Sequence, residues 1–176
     1  MDVEAKIRST AKDPPTKDIE MKIRGLVMDP SNNTPIVILK DVQGDTVLPI
    51  WVGLYEANAI ALEIEKASLQ RPMTHDLLKN LIHGLNAVVQ KIVVTELKND
   101  TFYAMIWMEQ GGEIVGLDAR PSDALALALR SDCPIYVSEE VLRIAKLAPS
   151  VVESNPEDLR RWLEGLNDDD LGRYKM

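Results

Sequence analysis

The stretch VVQKIVVTELKNDTFYAMIWMEQGGEIVGL, Val88 to Leu117, decides the fold. Val88 to Leu97 is rich in β-branched residues, which suit a pleated strand. Lys98-Asn99-Asp100 is a turn, Phe102 to Met108 is apolar on both faces, Gln110-Gly111-Gly112 turns again and Ile114 to Leu117 returns. Turns this short join antiparallel neighbours, whereas a parallel crossover needs about a dozen residues. The stretch is therefore a three-stranded meander, with its doubly apolar middle strand placed centrally in a sheet.

A second meander lies upstream. Met21, Ile23, Gly25 and Val27 alternate with Lys22 and Arg24 in a strand that starts near Ile19. Pro30 to Pro35 is turn chemistry, Ile36 to Lys40 is apolar on both faces, Gln43-Gly44-Asp45 turns, and Val47 to Val52 returns. Two helices join the meanders. The first, Leu54 to Lys66, carries Ala57, Ile60, Ala61 and Ile64 at helical spacing. The second, Thr74 to Leu85, carries Leu77, Leu78, Leu81, Ile82 and Leu85, with Thr74 as its expected N-cap. Downstream, Pro121 to Arg130 reads as a helix opened by proline, Pro134 to Val137 as a short strand, and Glu139 to Leu147 as a helix capped by Ser138. Asn155-Pro156 opens a last short helix to Leu166, ahead of a polar tail. The expectation is an α+β fold: a largely antiparallel or mixed sheet from two three-stranded meanders, with helices packed on it. Residues 1–18 read as a flexible arm, 19–147 as the domain, and 148–176 as a C-terminal helix and tail. An apolar, two-faced sheet in so small a chain implies a homodimer.

The chain has 176 residues, 45% of them apolar, enough for one domain with a real core. No apolar run approaches the roughly 20 residues that cross a bilayer, so no membrane role is expected. Residues 1–18 are too polar for a secretory signal. The single cysteine, Cys133, has no internal partner and reads as a buried thiol, which suits a reducing, cytoplasmic setting. The net charge is −8. Residues 41–138 hold seven basic and thirteen acidic residues, and no basic block occurs anywhere. That argues against simple phosphate-tracking nucleic-acid binding, so a polynucleotide partner has to be held by a few placed cations or a bound metal. Phosphate-cradling glycine loops, zinc-type Cys/His spacing and serine-elbow motifs are absent from the sequence.

Three clusters carry reactive side chains. Arg71-Pro72-Met73-Thr74-His75-Asp76 gathers a guanidinium, an imidazole and a carboxylate around a helix start, whose free N–H groups attract anions. Imidazole is the side chain best suited to move protons near neutral pH. Asp118-Ala119-Arg120-Pro121-Ser122-Asp123 repeats the Arg-Pro, hydroxyl and aspartate pattern at a strand-to-helix junction. Its two carboxylates are candidates to hold a hard cation, Mg²⁺ or Mn²⁺. Glu56 and Glu63, two turns apart on one helix, could complete such a site. Taken singly, each of these residues is more readily explained by capping, structural ion pairing or a solvated helix face.

Leu48-Pro49-Ile50-Trp51-Val52-Gly53, Glu56-Ala57, Arg71 to Asp76 and Asp118 to Ala128 together resemble the bifunctional nuclease domain family, over about Glu20 to Ile144. The resemblance implies hydrolysis of phosphodiester bonds in DNA or RNA. It brings no catalytic set, so the candidates are the polar side chains of the motifs. These are His75, Asp76, Asp118 and Asp123 for catalysis, Arg71, Thr74, Arg120 and Ser122 for substrate, and Glu56, Asp118 and Asp123 for a metal. The alternative is a non-catalytic oligomeric domain that recognises a small anionic ligand or a protein partner.

Overall fold

A computed structural model describes residues 7–9 and 17–147. The upstream meander is β2 (Asp18–Met28), β3 (Pro35–Asp41) and β4 (Val47–Trp51). The downstream one is β5 (Ala87–Lys98), β6 (Thr101–Gln110) and β7 (Glu113–Ala119). Both are antiparallel throughout, as their short turns require. β8 (Ile135–Ser138) joins them into one sheet: it lies antiparallel to β2 and parallel to β5. Within the expected N-terminal arm, Ile7–Ser9 forms β1 and pairs antiparallel with β7. The result is an open, mixed, eight-stranded sheet in the order β1-β7-β6-β5-β8-β2-β3-β4. The helix expected over Pro156–Leu166 lies outside the described residues.

Four helices pack against one face of this sheet: α1 (Leu54–Ile64), α2 (Thr74–Gly84), α3 (Pro121–Ser131) and α4 (Glu139–Leu147). They share a core with alternate strand residues. Ala57 and Ile60 of α1, Leu125 and Leu127 of α3 and Val141 of α4 meet Val37, Leu39, Ile92, Val94 and Val137 of the sheet. Each large aliphatic side chain buried there contributes about 1.5–3 kcal/mol. The small side chains Ala124, Ala126 and Ala128 let α3 lie close to both α1 and α2, and it is the most buried of the helices.

β3 is buried on both faces as expected, because Ile36 and Ile38 pack with Val27 and Trp51 on the side away from the helices. β6 lies centrally in the sheet as expected, between β7 and β5. It is flanked on both sides, yet only Ala104 and Ile106 are buried, and Tyr103 on the opposite face is exposed. Among the described residues, helices cover one face of the sheet, and the apolar residues of β6 that face away from them are half-exposed. Among the described residues, no helix is long and apolar enough to cross a membrane.

Candidate active site

Helix starts build the site. Glu56, Asp76 and Asp123 are each the third residue of their helix, where a carboxylate meets the positive end of the helix dipole. Packing of α3 between α1 and α2 then brings first-turn side chains together. Arg120, at the N-cap position of α3, donates from Nε to Asp123 Oδ2 at 2.8 Å and from Nη1 to Glu56 Oε1 at 2.8 Å. The other oxygen of Asp123, Oδ1, lies 3.0 Å from His75 Nε2 on α2. A continuous chain, Glu56–Arg120–Asp123–His75, thus links three helices.

Local backbone makes room for it. Gly53 precedes α1, and a Cβ there would lie 2.3 Å from Glu56 Oε2. Its missing side chain is what allows the glutamate to fold back over the helix start.

Burial by itself would raise the Asp123 carboxyl, but hydrogen bonds from Arg120 and His75 outweigh it and hold the group below its ordinary value. The two carboxylates push Arg120 higher still. Arg120 nevertheless keeps 65% of its side chain exposed, whereas His75 keeps 12%.

A second tie lies alongside. Asp76 Oδ2 accepts the Met73 backbone N–H at 2.8 Å, and Oδ1 accepts Arg130 Nε at 2.6 Å. The Met73 N–H is the leading cause that holds the Asp76 carboxyl low, with Arg130 adding to it. The Arg130 side chain is only 3% exposed and also donates to the carbonyls of Ala126 and Ala59. It fastens α1, α2 and α3 together.

The structure redistributes several of the expected roles. Met73, not Thr74, occupies the cap position of α2. Asp76 has claimed the Met73 N–H, and Thr74 is the first, exposed helical residue. Arg71 is exposed, and no hydrogen bond or ion pair ties it to another described residue. The two Arg-Pro helix starts do meet, but through His75 and Asp123, not through both arginines. Asp118 is exposed on the far side of the sheet. Its strand partner is Met105, while the adjacent Ala119–Ala104 pair faces the helices, and side chains alternate along a strand.

Glu56, Asp118 and Asp123 therefore do not converge. Arg120 stands between the first and last of them, and Glu63 pairs with Lys66 instead. Among the described residues, no three His, Cys, Asp or Glu side chains gather closely enough to hold a metal ion. The donor set does not fit Mg²⁺ or Mn²⁺, and no step is derived through one.

Beside the chain opens a cleft of about 350 Å³, lined by Trp51, Gly53, Glu56, Asp100, Thr101, Arg120 and Ser122 among others. Two helix starts, those of α1 and α3, border it. His75 does not line it and reaches it only through Asp123 and Arg120. Asp100 comes from the β5–β6 turn and Thr101 opens β6, and neither carried a functional signal in the sequence. Arg130 did carry one: a lone arginine in an otherwise apolar Ala/Leu helix has to be paired where it is buried.

The bifunctional nuclease domain model matches residues 37–150, a span that contains Glu56, His75, Arg120, Asp123 and Arg130. The chain belongs to the bifunctional nuclease domain family. An uncharacterized Mycobacterium tuberculosis protein is 35% identical over 162 residues, which cover 86% of this chain and 97% of that protein. Among plant members, the protein named bifunctional nuclease 1 of Oryza sativa subsp. indica is 25% identical over 130 residues, 69% of this chain and 39% of its own length. Its Arabidopsis thaliana namesake is 27% identical over 109 residues, 60% of this chain and 34% of its own. The family resemblance expected from the motifs thus holds.

Proposed function

We propose that the chain is a nuclease that hydrolyses phosphodiester bonds of DNA or RNA in the cleft between the starts of α1 and α3. Family membership and the names of the plant relatives support this class of reaction. The observation that carries the site is Arg120. It is largely exposed at the cleft and held at Nε and Nη1 by two carboxylates, which leaves Nη2 for a substrate phosphate oxygen. The adjoining helix starts add N–H groups and dipole to the same anion. In this reading Glu56, one of two carboxylates that line the cleft, takes the proton of an attacking hydroxyl or water. Arg120 stabilises the charge that builds on phosphorus-bound oxygens. Asp123 is a positioning residue that holds Arg120 directly, His75 acts one link further back through Asp123, and Asp76 serves the fold through Arg130. A cytoplasmic setting belongs to this reading, because a single cysteine without an internal partner suits a reducing compartment.

Cleavage of labelled single-stranded DNA and RNA tests the proposal, with the chain purified to a single species whose activity follows its mass. Folded E56Q and R120A are expected to lose about 10²-fold or more in rate, the usual contribution of such groups. H75A, which reaches Arg120 only through Asp123, is expected to lose less. Full activity in folded E56Q and R120A refutes the assignment, and activity that separates from the chain on sizing refutes the enzyme class.

One observation favours a second reading. Two carboxylates face one guanidinium, so the cluster is not cationic, and a phosphate has to compete for Arg120. A domain that binds a small anion without cleaving it fits that balance. It predicts saturable phosphate binding that R120A abolishes, with no turnover.

A further inference from the structure

Polar groups make up only part of the cleft. Besides Glu56, Arg120 and Ser122, its lining includes Trp51, Phe102 and Pro121. Phe102 packs against the core between sheet and helices. Trp51 is held differently. It ends β4 and packs on Val27, Ile36 and Ile38. Its indole N–H donates to Asp29 Oδ2 at 3.1 Å.

Asp29 is only 2% exposed. Burying a carboxylate is costly unless it is well bonded. Its Oδ1 accepts the backbone N–H of Ser31 at 2.9 Å and the Ser31 hydroxyl at 2.6 Å. Burial would raise the carboxyl, but bonds from Ser31 and Trp51 outweigh it and hold the group below its ordinary value. The Ser31 bonds serve the β2–β3 turn. The Trp51 bond does not: it reaches 22 residues along the chain to the end of β4 and fixes an indole ring at the cleft. An aromatic ring fixed in advance gives up little freedom when a flat ligand stacks on it.

We infer that the cleft is a subsite for one unstacked nucleotide, with its base against the Trp51 ring and its phosphate on Arg120, so that the substrate is a single strand and not an intact duplex. That substrate rests on the reading of Arg120 as the phosphate holder. Size fits it: small-molecule pockets begin at about 300 Å³, and a cleft of about 350 Å³ takes a nucleotide more readily than a base pair. Charge fits as well. The chain carries −8 overall, and the cleft sets Glu56 and Asp100 against Arg120. Tracking a strand through its phosphates needs several cations, whereas stacking of a base on an aromatic ring depends on neither charge nor base identity. A base that enters the cleft has to leave its stack, which a duplex resists far more than a single strand does.

Fluorescence anisotropy of a labelled single-stranded DNA of about 12 nucleotides, beside cleavage kinetics of the same strand, tests this. The single strand is expected to be bound and cleaved at least ~30-fold better than the same strand in a duplex. W51A is expected to weaken binding at least ~10-fold and to act through KM more than kcat, and W51F, which keeps a stacking ring, to recover most of the loss. Y103A, an exposed aromatic on the other face of the sheet, is expected to change neither. A strand built of abasic units probes the same contact without touching the fold: the wild type is expected to bind it as weakly as W51A binds the normal strand. Circular dichroism checks folding, and the abasic strand carries the test if W51A fails to fold. Equal wild-type affinity for normal and abasic strands overturns the inference, as does a preference for duplex or binding that Y103A abolishes. Cleavage that E56Q and R120A remove, with W51A at the wild-type KM, sinks the subsite and leaves the nuclease standing. Base-dependent binding through Trp51 without any cleavage does the opposite.

Discussion

Substitution of Arg130 by methionine tests whether the site rests on a buried tie. Methionine keeps much of the volume and apolar stem, so lost packing is a minor term. The charge is lost, and with it the 2.6 Å bond to Asp76 and the bonds to the Ala126 and Ala59 carbonyls. Breaking one side of a buried ion pair costs about 3–5 kcal/mol. Asp76 is 30% exposed, so water recovers part of its solvation and the lower figure is the better one. Both carbonyls belong to helices and keep their ladder partners, which adds little. About 3 kcal/mol corresponds to a fall of roughly 10 °C in Tm for a chain of this size. Urea unfolding followed by circular dichroism, at one fixed protein concentration, measures it through the midpoint at unchanged m. In the R130M background, D76N removes the unpaired charge but keeps an acceptor for the Met73 N–H. It is therefore expected to restore part of the loss, although alone it destabilises. An R130M loss under about 1 kcal/mol, small against the usual effect of breaking such a pair, would refute the tie. Additive effects of R130M and D76N would refute the coupling.

Three further outcomes follow from the same geometry. The folded-state carboxyl of Asp76 lies below its ordinary 3.8, so its stabilisation is complete above that value and disappears as pH falls through the folded value; D76N is expected to be less stable than wild type at pH 7 and to approach it as the pH is lowered below 3.8, read from urea midpoints across pH. G53A places a Cβ 2.3 Å from Glu56 Oε2, and because only a flexible carboxylate has to move, Tm is expected to change little while cleavage falls toward the E56Q level. The Cys133 thiol, pushed up to about 11, is expected to react with a thiol reagent at pH 8 far more slowly in the folded chain than in urea; equal rates in the two states contradict its burial.

Short-range features of the fold were legible in the sequence. The two meanders were visible because each turn is too short for anything but an antiparallel return, and the alternation in β2 set its faces. The joining of the meanders was not visible. β8 pairs with β2 and β5 over long sequence separations, and nothing in Ile135–Ser138 says which neighbours it will find. For the same reason β6 was read as buried on both faces: Tyr103, Met105 and Trp107 look like core residues until it is known that helices cover only one side. At the site, the doubled Arg-Pro pattern correctly pointed to helix starts that meet. The pairing partners were not legible, because Arg120 reaches Glu56 across 64 residues and Arg130 reaches Asp76 across 54. Asp118 was misplaced because counting along the chain puts it next to Arg120, whereas strand alternation turns it through the sheet.

α3 carries one arginine at each end, and the contrast between them bears on function. Arg130 is sealed, satisfied by three acceptors, and explained by stability alone. Arg120 is held almost as firmly, yet 65% of its side chain faces water. Exposed ion pairs contribute only about 0–1 kcal/mol, because solvent screens them and two long side chains have to be ordered. Stability therefore does not account for two carboxylates and an imidazole spent on fixing one exposed guanidinium beside a cleft. Preorganisation does: a cation held in place before the substrate arrives needs no rearrangement when charge develops on the phosphate. The two ends of α3 should then separate in experiment. R120A is expected to shift the urea midpoint by less than about 1 kcal/mol of stability while removing cleavage or phosphate binding, and R130M to do the reverse in proportion, with activity lost mainly through unfolding. An R120A variant as destabilised as R130M would make the whole chain from Glu56 to His75 a fastener between helices, and the catalytic centre would have to be sought elsewhere.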